Sequence, residues 1–156
     1  FVQTTHRTGG VPNMNGEQPG RVYYFSPLIL LTFGIYDASN QNLSAHSCTE
    51  IEGGRGGDNV CSMLWVELQR KGLISADGKA TGDAVSQLTI VFDNCAGQNK
   101  NRMVLRMLPM LVDLGICHTA RAFFLVASHT KNDCDRMYNL MKAKIRHKNV
   151  YTTEQY

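Results

Sequence analysis

The sequence predicts a mixed α/β fold, in which antiparallel N-terminal strands are followed by parallel strands with flanking helices. The first observation is that strand-like and helix-like segments follow one another in the order strands, helix, strand, helix, strand, helix. The second is that residues 88–92 and 122–127 are short apolar runs, which are typical of parallel strands covered on both faces. Because a helical segment joins these two runs, they form a βαβ unit and should be parallel.

Composition indicates a single globular domain. The 156 residues suit one domain, and a hydrophobic content of 43% is sufficient for a buried core. The net charge of +3 is compatible with a phosphate-bearing partner. No apolar run has the length of a transmembrane helix, so no membrane partner is expected. The five cysteines are odd in number and form no CxxC pair, which favours a reducing intracellular compartment.

The N-terminal third is predicted to contain a loop and then strands. Residues 1–20 are rich in glycine and proline and are predicted to be a long loop, so that the folded domain spans residues 21–156. Aromatic and β-branched residues predict strands at 21–26 and 28–36, and a further short strand is expected at 43–50. Residues 52–58 (EGGRGGD) form a glycine-rich loop that allows a close approach of the backbone.

Three helices are predicted from apolar residues at helical spacing. The first runs from Asp58, which is expected to cap it, to Gly72, which is expected to end it. The second covers residues 99–114 and contains Pro109, which implies a kink. The third covers residues 133–146, with Asn132 as the expected N-cap and a basic C-terminal half.

Polar residues follow both parallel strands at the point where each strand ends. Asp93 comes directly after the 88–92 run, and Ser128 and His129 follow the 122–127 run. Because ligands of open α/β sheets bind at the carboxyl ends of the strands, we expect these side chains to converge. Asp135 lies about one turn into the third helix and faces the same crevice if that helix covers the sheet.

Carboxylates held close together repel one another, and such clusters commonly bind a divalent cation. Asp93 and Asp135 are therefore predicted to bind Mg²⁺ or Mn²⁺, with Glu52, beside the glycine-rich loop, as the preferred further ligand. Ions of this kind support phosphodiester chemistry, in which His129 is a further candidate catalytic residue. A structural alternative stays open for each residue, since Asp and His also serve as turn formers and caps, and an acid in a first helical turn is stabilising without metal.

Cations near the same strand ends favour a nucleic-acid partner. Segment 97–102 (GQNKNR) places Lys100 and Arg102 at a helix start, where backbone N–H groups also suit a phosphate. Lys131 and the basic stretch 142–148, represented by Lys142 and Arg146, are further candidates for contact with a nucleic-acid backbone. Ordinary solvated helix ends are the alternative interpretation.

Two segments carry a resemblance to a known family. Residues 92–101 (FDNCAGQNKN) and 128–136 (SHTKNDCDR) are similar to a transposase-derived domain of unknown function that recurs in eukaryotic mobile-element proteins. The likeness extends to 16–20 (GEQPG), 23–25 (YYF), 33–34 (FG) and 52–56 (EGGRG), and so spans nearly the whole chain.

The resemblance implies a ribonuclease H-like fold of the kind used by DDE/D transposases and integrases. Asp93 would be the acid after the fourth strand, and Asp135, preceded by His129, the acid on the later helix. The implied activity is metal-dependent phosphoryl transfer on DNA. A nuclear location and assembly into a homo-oligomer are further expectations.

One feature departs from the family pattern, which places an Asp just upstream of a segment resembling residues 1–3 (FVQ). We therefore expect an incomplete acidic triad, through truncation at the first strand or replacement, and no DNA cleavage by these residues on their own. Two alternatives stay open. One is a non-catalytic domain that binds nucleic acid or protein. The other is a DnaQ-like exonuclease, whose pattern would place an Asp where Cys134 stands.

Overall fold

The described part of the chain forms a five-stranded mixed sheet flanked by helices. The computed structural model describes residues 2–11, 13–14, 28–126 and 133–155. In chain order the elements are β1 (Val2–Val11), β2 (Asn13–Met14), β3 (Leu28–Asp37), β4 (Asn42–Thr49), α1 (Gly57–Arg70), β5 (Val85–Phe92), α2 (Arg102–Asp113), β6 (Cys117–Phe124), α3 (Asp133–Ile145) and β7 (Asn149–Val150).

The strand order across the large sheet is β4-β3-β1-β5-β6. β3 is antiparallel to both β1 and β4, whereas β5 is parallel to both β1 and β6. A mixed α/β fold with antiparallel strands followed by parallel strands is therefore confirmed. β2 and β7 pair separately as a small antiparallel sheet.

The predicted loop over residues 1–20 is wrong for most of that segment, because β1 is the middle strand of the sheet. Gly9 and Gly10, two of the glycines that suggested a loop, follow a register shift after Arg7, beyond which β1 continues to pair with β3. Hydrogen bonds from β3 along its length, and from β5 at Val2 and Gln3, stabilise the extended backbone. Residues 15–20 and the predicted strand 21–26 lie outside the described residues.

The two faces of the sheet are covered by different helices. α1 and α2 cover one face, and the core between them and the sheet contains the nearly fully buried side chains of Phe33, Ile35, Ile90, Phe92, Leu64 and Leu111. α3 covers the other face over β1 and β3. There the hydroxyl group of Tyr138 donates a hydrogen bond to the Thr32 carbonyl oxygen at 3.1 Å. None of the helices in the described ranges has the length and apolar character that crossing a bilayer requires.

β5 and β6 begin earlier than their apolar runs predicted, at Val85 and Cys117, and β6 ends at Phe124. Exposed polar residues such as Gln87 and Arg121 belong to these strands because, among the described elements, α3 lies over β1 and β3 on that face. The prediction of cover on both faces is therefore wrong for the second run, in which Phe123 is exposed, whereas Thr89 and Val91 of the first run are half-buried. Alternation of side chains along a half-covered strand explains the polar positions.

The helices lie close to their predicted positions, with two corrections at their starts. The N-cap of α1 is Gly56, and Asp58 lies in the first turn, where its negative charge is favourable. α1 ends at Arg70, and Gly72 follows with a φ of 71°, as predicted. α2 begins at Arg102 because residues 95–100 form turns, and Asn101 is its N-cap. Asn132, the predicted cap of α3, lies outside the described residues.

A buried ionic network joins β4 to α1. Glu67 is 2% exposed, and its carboxylate lies 2.9 Å from Arg70 Nε and 3.2 Å from His46 Nε2. Both of these contacts are made by Glu67 Oε2, and Glu67 Oε1 accepts a hydrogen bond from Ser44 Oγ at 3.1 Å. Burial by itself would raise the pKa of Glu67, but the hydrogen bonds from Arg70, Ser44 and His46 lower it below its ordinary value of 4.5. The network therefore stabilises a charged carboxylate in the interior.

Candidate functional site

The segment from Asp93 to Asn101, called here the 93–101 loop, turns around a single carbonyl oxygen. The Cys95 carbonyl oxygen accepts hydrogen bonds from the backbone N–H groups of residues 98, 99 and 100 at 3.3, 2.8 and 3.1 Å. The Asn99 side chain is fully buried and donates from Nδ2 to the Asp93 carbonyl oxygen at 3.1 Å. This bond ties the far end of the loop to the end of β5.

The same loop leads directly into α2. Asn101 Oδ1 accepts hydrogen bonds from the backbone N–H groups of Met103 and Val104 at 2.9 and 3.2 Å, and so caps the helix. Its Nδ2 donates to the Gln98 carbonyl oxygen at 2.8 Å. Asp93 and the start of α2 are thus connected by local hydrogen bonds within the 93–101 loop and to the first turn of α2.

Asp93 lies beside the central strand of the sheet. β1 pairs with β5 at Gln3 and Phe92, and β5 ends at Phe92, so Asp93 follows the last pair at about the level of Thr4. Thr4 in turn pairs with Gly34 of β3. Gly34, Thr4 and Asp93 therefore form one row across three strands, and the strand spacing puts the two outer Cα atoms about 10 Å apart.

α3 begins above this same row. A Cβ atom built on Gly34 would lie 2.5 Å from the Tyr138 hydroxyl oxygen and 3.5 Å from Cys134 Sγ, so the first turns of α3 rest on Gly34. Since Phe92 points into the core beneath α1 and α2, alternation directs the next side chain, Asp93, toward the α3 face. The start of α3, which carries Asp135, and the half-buried Asp93 therefore lie at the same end and on the same face of the sheet.

Glu52, the other predicted ligand, lies elsewhere. Its carboxylate accepts hydrogen bonds from the backbone N–H and the hydroxyl group of Thr49 at 2.8 and 2.9 Å, and these bonds lower the pKa of Glu52. Through β3, Thr49 is level with Gly9 of β1, five residues beyond Thr4. About 15 Å along the strand direction therefore separates Thr49 from the row that contains Asp93.

The donor set around Asp93 is small. Among the described residues, no group of three His, Cys, Asp or Glu side chains could hold a metal ion. β1 supplies no carboxylate beside Asp93, because its sequence is VQTTHRTGGV. His129, which was predicted to take part, lies outside the described residues, as does Ser128.

Two predicted phosphate-binding cations lie at the 93–101 loop. Lys100 Nζ is 5.8 Å from the ring centroid of Phe124, at the end of β6. Arg102 opens α2 and lines a cavity of about 520 Å³ together with Gly97 and Asn101. The loop therefore combines cations with a helix start, as the sequence predicts.

The other predicted cations lie along α3 or beyond the described residues. Lys142 is exposed in the last turn of α3, and Arg146 is exposed just after that helix. The end of α3 is fixed where Ile145 packs against Leu30 and Val150. Lys131 lies outside the described residues.

A comparison with protein-family models shows the family to which the chain belongs. One model matches residues 73–156, more than half of the chain, and its description is a domain of unknown function, DUF7869. The chain belongs to this family. The part of the chain that matches the DUF7869 domain contains Asp93, the 93–101 loop and α3. Comparisons with curated proteins and with solved structures gave no match.

Gly57, which precedes the matched residues 73–156, is a residue whose role sequence inspection missed. A Cβ atom on Gly57 would lie 2.3 to 2.6 Å from three side-chain atoms of Asn101, so the start of α1 is seated on the cap of α2. The only sequence signal was the run of glycines at 53–57, which predicted a close approach without naming its partner.

Substituting Gly57 by Ala should therefore displace the Asn101 side chain and remove the α2 cap. We expect Gly57→Ala to lower the free energy of unfolding by about 1 kcal/mol, the usual effect of losing such a cap, as measured by urea denaturation. Gly54→Ala is the matched control, since a Cβ atom there would lie 3.9 Å from its nearest neighbour. Equal stabilities of the two variants would contradict the contact between Gly57 and Asn101.

Proposed function

We propose that this DUF7869 domain is a ribonuclease H-like domain of transposase or integrase type, which binds DNA at the sheet end carrying Asp93. The observation that carries the proposal is the row formed by Gly34, Thr4 and Asp93, with the start of α3 above it. This row brings the strand-end carboxylate and the helix that bears Asp135 to one place, although the two acids are far apart in sequence.

The arrangement of the sheet supports the class. Three antiparallel strands, β1, β3 and β4, are followed in chain order by the parallel strands β5 and β6. Asp93 follows β5, the fourth strand of this sheet, which is the position that the resemblance to DDE/D transposases implies for an acid. Ligands of sheets with parallel strands bind at the carboxyl ends of those strands.

The charges near Asp93 support a phosphate-bearing partner. Lys100 and Arg102 flank the start of α2, where backbone N–H groups and the helix dipole favour an anion. Lys142 and Arg146 extend the positive charge along α3. Contacts of this type position a nucleic-acid backbone without reading its sequence.

Magnesium or manganese is the cofactor that a domain of the proposed class would use, with Asp93 and Asp135 as its ligands. The described residues do not fit such a centre by themselves, since β1 carries no carboxylate beside Asp93 and no three-residue donor group is present in the described ranges. A two-carboxylate site leaves most of the coordination shell to water. DNA binding is accordingly the part of the function that these residues support best.

The DNA-binding proposal is tested by neutralising Lys100 in the 93–101 loop and Arg102 at the start of α2. We expect Lys100→Gln and Arg102→Gln each to weaken binding of a fluorescein-labelled DNA duplex several-fold. Each should also reduce the slope of log affinity against log salt concentration by about 0.9, the value for one lost phosphate contact. Fluorescence anisotropy over a series of NaCl concentrations measures both quantities.

Lys79→Gln is the matched control for these variants, because Lys79 is 80% exposed and pairs with Asp77 in the turn before β5. It should bind DNA like the unsubstituted protein. Absence of DNA binding at low salt, or an equal loss in the Lys79 variant, would refute the proposed site.

A non-catalytic binding domain is the second candidate, and the lack of a carboxylate on β1 favours it. The same titration, repeated with Mn²⁺ and with EDTA, separates the two candidates. In a transposase-type centre Mn²⁺ strengthens DNA binding, and Asp93→Asn removes the gain. In a non-catalytic domain, the change in DNA affinity between EDTA and Mn²⁺ should be the same for the unsubstituted protein and for Asp93→Asn.

A further inference from the structure

The second face of β5 and β6 is an open surface next to Asp93. Its residues follow from the parallel register, which pairs Gln87 with Thr119, Thr89 with Arg121 and Val91 with Phe123. The alternate pairs, which include Phe92 with Phe124, point into the core beneath α1 and α2. We call the six outward residues the β5–β6 platform.

Phe123 is the unusual member of this platform. Its side chain is 54% exposed, and Val126, just beyond the strand, is 70% exposed. The neighbouring Phe124, on the core face, stacks on Phe92 with ring centroids 5.6 Å apart. Two consecutive phenylalanines therefore have opposite environments, and only the second is accounted for by packing. A single exposed aromatic ring is common on protein surfaces, so the significance of Phe123 depends on the residues around it.

The platform is adjacent to the candidate site. Phe123 is level with Val91, and Asp93 lies two residues further along the same direction. The backbone N–H of Leu125 donates to the Phe92 carbonyl oxygen at 2.9 Å, so the pairing continues to the end of both strands. One strand spacing and two residue rises put the Cα atoms of Phe123 and Asp93 about 8 Å apart. Both residues face the side of the sheet on which α3 lies.

The chemistry of the platform indicates what it binds. It contains an exposed aromatic ring, an exposed arginine, a valine, two threonines and a glutamine, and no carboxylate. Gln87 Nε2 donates to Thr89 Oγ1 at 2.8 Å, which leaves the ring and the guanidinium group of Arg121 as the outstanding features. A π-face beside a cation is the combination by which proteins bind unpaired bases and their phosphates.

We propose that Phe123 stacks on an unpaired nucleobase, while Arg121 contacts a neighbouring phosphate, next to the backbone held at Asp93. This inference rests on the proposed function and specifies its partner as DNA with at least one unpaired nucleotide. A paired duplex presents base edges and phosphates, not a free π-face, to an exposed ring on an open sheet.

The test compares a thymidine oligonucleotide with an abasic strand of the same length, by fluorescence anisotropy. We expect Phe123→Ala to weaken binding of the thymidine strand roughly 5- to 100-fold, in line with the stacking energy of one base, and to leave binding of the abasic strand and of a duplex within about twofold. Phe123→Trp, which keeps a π-face, should restore the affinity. Tyr151→Ala is the matched control, because Tyr151 is also 54% exposed but follows β7.

The possible results distinguish this inference from the proposed function. Duplex binding by the unsubstituted protein, with unchanged thymidine-strand affinity in Phe123→Ala, overturns the stacking platform and leaves the DNA-binding proposal standing. An equal loss for the thymidine and abasic strands also overturns stacking, since a missing base cannot be stacked. No binding of any strand by the unsubstituted protein refutes both. Thermal unfolding of Phe123→Ala confirms that the variant is folded.

Discussion

Replacing Glu67 by Ala is expected to lower the free energy of unfolding by about 3 kcal/mol at pH 7, the low end of the range for removing one partner of a buried ion pair. The low end applies because Arg70 is half exposed and can return to water, and because the largely buried Lys71, which lies 3.8 Å from Glu67, also pairs with Asp37. The substitution also leaves Ser44 and His46 of β4 without their acceptor on α1. Urea denaturation at several pH values measures the effect.

The pH dependence of this difference tests its electrostatic origin. The pKa of Glu67 is lowered in the folded protein, so its stabilising contribution is fully present above the ordinary value of 4.5 and is lost as the pH falls through the folded pKa. The gap between the unsubstituted protein and Glu67→Ala should be constant near neutral pH and shrink below pH 4.5. Glu67→Gln, which keeps the shape but not the charge, should give an intermediate stability. A gap that does not change with pH would assign the effect to packing.

Replacing Gly34 by Ala is expected to lower the free energy of unfolding by about 2 kcal/mol, the usual cost of forcing a methyl group into a filled space. The new Cβ would lie 2.5 Å from the Tyr138 hydroxyl oxygen and 3.1 Å from Cζ, and the Tyr138 side chain is 2% exposed and cannot move into solvent. α3 must therefore shift away from the row that contains Asp93. DNA binding should weaken together with stability.

Two comparisons make this result specific. Gly82→Ala is a matched control, since a Cβ atom on Gly82 would meet nothing within 4 Å, and its stability should stay within about 0.5 kcal/mol of the unsubstituted protein. Tyr138→Phe removes the hydroxyl group that the new Cβ would strike. Gly34→Ala should therefore cost less in the Tyr138→Phe background, and an equal cost in both backgrounds would show that Tyr138 does not seat α3 on Gly34.

The positions of the helices and of β3 to β6 follow largely from local patterns. Helical spacing located α1 because its apolar stripe lies within one continuous segment. Its end could be predicted because Gly72, with a positive φ, follows closely in the sequence. Apolar runs located β5 and β6 only in part, since polar residues on the open face belong to the same strands. β1 was missed because its glycine content indicates a loop, whereas its neighbours β3 and β5 supply the hydrogen bonds that make it a strand.

The sequence alone could indicate that Asp93 ends a parallel strand, because an apolar run precedes it and a helical segment and a second apolar run follow. The carboxyl ends of such parallel strands meet at one edge of the sheet. The surroundings of Asp93 required long-range contacts. The pairing of Thr4 with Gly34, and the contact of Gly34 with α3, bring Asp135 to the same face. The pairing of β3 with β1 and β4 places Thr49, which donates hydrogen bonds to the Glu52 carboxylate, far from Asp93. Among the described elements α3 lies over β1 and β3, and Phe123 of β6 is exposed, a consequence of helix placement that no local sequence pattern records.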